Sequence, residues 1–272
     1  MEGDRMMKIG IIGGTGFYDL LKETVELTVA TGFGDIVIYK GEHAGKEVYF
    51  LPRHGEDHNC LAHEINYRGN ILALKQLGID HVLAMCAVGS LNPDIPVGHF
   101  ALLDQFVDVT TNRIKTYGKY SVDIGFPYDE DLRHAFIKAA GELGIELTPK
   151  ATYITVDGPR YETSAEINLY RQWGMDVVGM TNGTEASLAR ELGLAYAVVT
   201  LATDLAAGIS DVAPDLELHK NVVKDNKAKM AKLFLKTIEL VGGEKRSAAK
   251  LAYERAIEAR REKLSESAVM KG

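Results

Sequence analysis

The residues between Thr152 and Asp204 carry the most legible chemistry in this chain. Three β-type runs each end in a polar cluster: Gly158-Pro159-Arg160-Tyr161-Glu162, then Met180-Thr181-Asn182-Gly183, then Thr203-Asp204. In an open α/β sheet ligands bind beyond the carboxyl ends of strands, so these ends are expected to converge on one pocket. They bring an aromatic plate (Tyr161), two carboxylates (Glu162, Asp204), a hydroxyl (Thr181) and a flexible thioether (Met180). That set suits a flat, hydrogen-bonding heterocycle joined to a sugar.

Two other stretches suit an anion. The apolar run from Lys8 to Ile12 enters Gly13-Gly14-Thr15-Gly16. Glycines permit close backbone approach, successive amides form anion nests, and Thr15 adds a hydroxyl. A tight structural turn is the alternative. A dinucleotide fingerprint needs a following helix and an acidic residue about 20 positions on; the segments after Gly16 read as strands, which weakens that reading. Pro52-Arg53-His54-Gly55 closes another β-type run, placing a planar guanidinium fork, suited to phosphate oxygens, beside a second donor. A solvated loop with an incidental histidine fits this segment equally well.

The elements that must position these residues follow from periodicity and punctuation. Short strands are expected over 25–30, 36–40 and 47–51, separated by glycine turns. Asn66 to Leu77 has helical spacing stopped by Gly78, and 81–87 is a strand running into Val88-Gly89-Ser90, whose small side chains let amides face a ligand. Another strand spans 100–109. The range 110–127 is irregular, as in a lid or an interface segment. Asp129 caps a helix, and Thr163-Ser164-Ala165-Glu166 is a capping box. The alternation of strand and helix from Ala151 to Asp204 implies parallel pairing within one sheet. A long helix is expected from about Asp215 to Val241, and a separate charged surface or interface helix over 245–267. The expected fold is a single α/β domain over 1–243, with a mixed, partly barrel-like sheet flanked by helices, and a helical extension over 244–272.

Composition narrows the classes. The 272 residues are 46% hydrophobic and 25% charged, with a net charge of −7. No basic patch dominates, which argues against nucleic acid as the main partner. No apolar run approaches the roughly 18 residues that span a membrane, and Met1-Glu2-Gly3-Asp4-Arg5 lacks the apolar core of a signal peptide. Cys60 and Cys86 have no metal-ligand spacing, so free thiols in a reducing cytoplasm are expected, with no metal site.

Taken in order, Gly10-Ile11-Ile12-Gly13-Gly14-Thr15-Gly16, Arg53-His54-Gly55, Asn66-Tyr67-Arg68-Gly69-Asn70, Ala87-Val88-Gly89-Ser90, Gly158-Pro159-Arg160-Tyr161-Glu162-Thr163 and Gly179-Met180-Thr181 resemble the trimeric purine nucleoside phosphorylase and methylthioadenosine phosphorylase family. The resemblance covers residues 8 to 240. It implies cleavage of an N-glycosidic bond by inorganic phosphate as co-substrate, with no cofactor. It places phosphate at Thr15, Arg53, His54, Ala87 and Thr181. Base and ribose would meet Val88, Gly89, Tyr161, Glu162, Gly179, Met180, Asp204 and His219. Asp204, Thr181 and His54 are the expected catalytic residues. A buried, partly protonated Asp204 would hydrogen-bond the departing purine.

The same resemblance leaves the purine open. Glu162 matches enzymes of 6-oxopurines, where it accepts N1–H. Asp204 suits the 6-amino group of adenine, and 6-oxopurine enzymes usually place asparagine there. His219 matches the histidine that meets a 5′-hydroxyl; an ordinary helix-start histidine is the alternative. The family implies a homotrimer or a dimer of trimers, each pocket finished by a neighbour's loop. That residue falls near Ser121, with Tyr117 or Tyr120 as substitutes. A strict methylthioadenosine phosphorylase, a dinucleotide-binding protein and a non-catalytic nucleoside-binding subunit are the competing readings.

Overall fold

The structure, a computed structural model, describes residues 6–14, 20–21, 23–55, 60–210, 216–242 and 247–269. Among them the chain runs β1 (Lys8–Gly13), β2 (Val25–Thr31), β3 (Gly34–His43), β4 (Lys46–Pro52), α1 (Tyr67–Gln76), β5 (His81–Ser90), β6 (Phe100–Asp108), α2 (Glu130–Leu143), β7 (Leu147–Thr155), α3 (Ser164–Gln172), β8 (Val177–Gly179), α4 (Asn182–Glu191), β9 (Ala195–Leu205), α5 (Leu216–Leu240) and α6 (Ala248–Val269). Local signals start the helices as expected. Asn66 accepts from Gly69 N at the start of α1, Asp129 from Leu132 N at α2, and Thr163 with Glu166 closes a reciprocal capping box on α3. The segment between β6 and α2 is irregular, also as expected.

The strands lie in the order β2-β3-β4-β1-β5-β8-β7-β6-β9, and β9 pairs back onto β5. Five strands therefore close a ring, and the other four extend from it as an open wing. This is the mixed, partly barrel-like α/β sheet expected from the sequence. One expectation needs correction. β7 and β8 are parallel, from Tyr153↔Val177 to Thr155↔Gly179, but β9 does not join them. It runs parallel to β5 from His81↔Ala195 to Ser90↔Leu205, and β8 meets the end of β5 antiparallel at Gly89↔Val178. Length decides the partner. β5 and β9 are 10 and 11 residues long and mostly buried, whereas β8 has 3 residues, so β9 completes far more of its ladder on β5.

The sheet is covered on both faces. Ile12, Leu51, Leu74 and Tyr196 belong to one core, which also takes in residues of α1 and α4. Leu83, Phe136, Val199 and Phe234 belong to a second, with residues of α2 and α5, and Ile154, Ile167 and Val178 to a third that includes α3. α6 is fastened to the body: Lys250 pairs with Asp80 at 3.0 Å, and the rings of Tyr253 and Tyr120 meet edge-on at 5.6 Å. Among the described residues no helix is long and apolar enough to cross a membrane.

Candidate active site

The site is organised by a bulge. The β5–β9 register shifts between Val88 and Gly89, which brings Asp204 opposite Gly89. A Cβ on Gly89 would stand 3.1 Å from Val178 Cγ1 and 3.3 Å from Asp204 Oδ2, so the absent side chain is what lets the ends of β5, β8 and β9 meet. Ala87, two residues back, is exposed on a strand whose neighbours are buried, and it forms an open wall of the site.

Asp204 ends a strand that is buried along its whole length before it. It is 8% exposed, and burial pushes its carboxyl up to about 6 against the opposing hydrogen bond from Thr203 Oγ1 at 2.9 Å. Val88 O lies 3.3 Å from the same hydroxyl. His219 Nδ1 lies 3.1 Å from Thr203 Oγ1, within hydrogen-bond distance. His219, Thr203 and Asp204 thus form one chain of hydrogen bonds. Glu162 is half-buried, and its carboxyl is also raised, by burial first and by the charge of Asp204 as well. Burial therefore disfavours the charged form of both carboxyls, and the charge of Asp204 adds to the rise at Glu162. Glu162 lines a cavity of about 150 Å³ with Val156, Gly158, Arg160 and Tyr170. Tyr161, between the lining residues Arg160 and Glu162 in the chain, is 46% exposed.

On the anion side, Arg53 is 4% exposed and its backbone N–H donates to Gly13 O at 2.9 Å, which sets it beside the end of β1. Its Nε and Nη2 donate to Glu185 at 2.5 and 3.0 Å, and Nη1 donates to Met85 O at 2.7 Å. Thr181 is the N-cap of α4, yet its hydroxyl makes no capping bond and lies 3.5 Å from Cys86 Sγ. His54 Nδ1 is 2.8 Å from Cys60 O. Thr15 lies outside the described residues. Met180 packs beneath Gly158, where a Cβ would come within 2.4 Å of its sulfur.

A sequence profile of the Phosphorylase superfamily matches residues 8–239. The chain belongs to that superfamily. It is 44% identical over 263 residues to a probable 6-oxopurine nucleoside phosphorylase of Thermococcus kodakarensis, covering 90% of this chain and 97% of the relative. It is 39% identical to an S-methyl-5′-thioadenosine phosphorylase of Pyrococcus abyssi, covering 89% and 95%. In structure it is similar to methylthioadenosine phosphorylase from Schistosoma mansoni, solved with adenine, with a TM-score of 0.87 at 30% identity, covering 93% and 98%.

Two features of this phosphorylase site are not visible in the sequence pattern. Glu185, in the first turn of α4, is 2% exposed and takes one edge of Arg53; Tyr196 adds a hydroxyl to it at 2.7 Å. Its signal, in retrospect, is a charge on a helix with no solvated face. The other is Arg113, whose guanidinium reaches the carbonyls of Met180 and Asp157. Tyr117 and Tyr120 are engaged within the chain: Tyr117 donates to Arg68 O at 2.8 Å, and Tyr120 meets Tyr253.

Proposed function

We propose that this phosphorylase-superfamily enzyme cleaves the N-glycosidic bond of purine nucleosides with inorganic phosphate, giving a free purine and a ribose 1-phosphate, with 6-oxopurines preferred. The observation that carries the reading is the pair of carboxyls at the base end: Asp204, buried at the strand end, and Glu162, which feels its charge. Protonated, as it increasingly is at and below about pH 6, Asp204 donates to a purine edge as an amide would, while ionised Glu162 accepts N1–H. The naming of relatives as 6-oxopurine nucleoside phosphorylases supports the same choice. In this reading the fork of Arg53, the Thr181 hydroxyl and the N-terminal end of α4 hold phosphate. Phosphate stabilises the oxocarbenium-like sugar, Met180 lies under the ribose, and Asp204 steadies the leaving base.

Ionised Asp204 accepts from the 6-amino group of adenine, which keeps methylthioadenosine as the second reading. Rates of purine release from inosine, guanosine, adenosine and methylthioadenosine, with and without phosphate, test both. Release from inosine and guanosine that requires phosphate is expected; methylthioadenosine turned over with inosine inert overturns the preference.

We also infer a homotrimer or dimer of trimers. Ile114 and Phe126, on the irregular segment before α2, are 58% and 76% exposed, as an interface segment would leave them in a single chain. Light scattering checks this, and an active monomer at micromolar concentration sinks it.

A further inference from the structure

The ladder between β7 and β8 ends at Thr155↔Gly179, followed by one bond from Val156 N to Gly179 O at 3.0 Å. Beyond it the two chains part. One continues through Asp157 and Gly158 to Glu162, the other through Met180 to Thr181. Strands that separate leave carbonyls without ladder partners, and buried carbonyls need donors. Arg113 supplies them. Its Nη1 donates to Met180 O and, at 3.2 Å, to the Tyr67 hydroxyl; its Nη2 donates to Asp157 O at 2.6 Å and approaches Val156 O at 3.4 Å. The side chain is 2% exposed, and its guanidinium carbon lies 5.3 Å from the centre of the Tyr67 ring. The same segment grips Asp157 a second time, through Thr111 N and Oγ1, which donate to Asp157 Oδ2 at 3.0 and 3.1 Å.

We propose that Arg113 is a positioning residue for phosphorolysis, fixing the separation between the phosphate-and-ribose half of the site (Met180, Thr181) and the base half (Gly158 to Glu162). The assignment rests on the nucleoside phosphorolysis reading. The N–H groups of both terminal nitrogens are directed at protein acceptors, and Nε faces Asp157 Oδ1 at 3.9 Å, so Arg113 acts through the backbone rather than on substrate. Lysine, a point donor, does not span two strand ends. Transfer between two bound partners depends on their spacing, and a misplacement of about 1 Å costs on the order of 100-fold.

The test is Arg113→Lys in the full chain. Binding of inorganic phosphate alone and of free purine alone is measured by calorimetry. Turnover is measured on inosine or methylthioadenosine, whichever the wild type uses faster. Each half of the site is intact by itself, so each single ligand is expected to bind within about threefold of wild type while kcat falls on the order of 100-fold. Tyr67→Phe, which removes one acceptor of Arg113, is expected to show the same pattern with a smaller loss, and it decides the matter if Arg113→Lys does not fold. Turnover close to wild type overturns the proposal, as does loss of single-ligand binding in proportion to turnover. Wild-type protein inert on every nucleoside would instead refute the phosphorolysis reading, before any variant is scored.

Discussion

Arg53 and Glu185 are joined by two hydrogen bonds inside the protein, 132 residues apart in sequence. Of the five N–H groups of Arg53, two face Glu185 and one faces Met85 O among the described residues, and the other two, one on each terminal nitrogen, are the ones proposed to meet an anion. A phosphate bound there, as proposed, would meet a cation whose charge is already balanced. Arg53→Ala is expected to raise the apparent KM for phosphate strongly. It is also expected to destabilise the fold by about 3–5 kcal/mol, because Glu185 is left buried and unpaired. Urea unfolding alongside phosphate saturation curves measures both. Unaltered phosphate saturation would remove Arg53 from the anion site.

Glu185→Gln separates charge from shape. The amide keeps the volume of Glu185, but Arg53 becomes an uncompensated buried cation. Without phosphate the variant is expected to melt below wild type, and added phosphate is expected to raise its melting temperature by more than it raises that of wild type. A smaller phosphate-induced shift in the variant would mean that Glu185 serves to aim the guanidinium, not to balance it.

Gly158 has φ of +68°, and a Cβ there would come within 2.4 Å of Met180 Sδ. Gly158→Ala therefore strains the backbone and drives the thioether from its place beneath the glycine. A cost of about 1 kcal/mol or more in stability is expected from the backbone alone. The KM for nucleoside should rise while phosphate affinity, proposed to be set at Arg53, stays near wild type. Equal losses for both ligands would show that the substitution unravels the whole site.

Much of this arrangement is written locally in the chain. The three strand ends, the N-cap of α2 at Asp129 and the capping box at Thr163 depend on residues a few positions apart, and turn and capping chemistry reveals them. The contacts that complete the site are not local. Nothing in the periodicity around Arg53 or Glu185 indicates that they meet, and Arg113 sits in a segment whose irregularity hides the purpose of any one residue. Strand partners are equally non-local: alternation suggested that β9 follows β8, and the greater ladder length offered by β5 decided otherwise. Thr15, the hydroxyl expected at the glycine turn, falls outside the described residues.

Asp204 should leave a mark on stability as well as on rate. Its folded pKa of about 6 lies above the ordinary 3.8, so protonation favours the folded state. The stabilisation is complete below the unfolded pKa and is lost as pH rises through the folded one, a window from about 4 to about 6. The roughly two-unit difference corresponds to about 3 kcal/mol at most. Asp204→Asn has nothing to ionise and is expected to melt higher than wild type above about pH 7, with the gap closing towards pH 4. Melting curves of both proteins across pH check this; a constant gap would mean that the carboxyl does not titrate in that window.

The same carboxyl is expected to choose between purines. A 6-oxopurine presents O6, an acceptor, and adenine presents a 6-amino donor. Ionised Asp204 facing O6 leaves two buried acceptors opposed, at a cost of roughly 1–3 kcal/mol. Protonated Asp204 donates to O6 and removes that cost, whereas adenine is served by the ionised form. Glu162 has the complementary bias, since its ionised form accepts N1–H of a 6-oxopurine and meets an acceptor in N1 of adenine. Because Asp204 is raised by burial to about 6, the wild-type ratio of kcat/KM for inosine to that for methylthioadenosine is expected to fall as pH rises through that value. Asp204→Asn supplies an amide donor at every pH, so its ratio should exceed that of wild type above pH 6 and lose the dependence on Asp204. The measurement is both ratios from pH 5 to pH 8. If the substitution leaves the ratio unchanged, Asp204 does not read position 6 of the purine, and base choice must be sought in Glu162 and its neighbours alone.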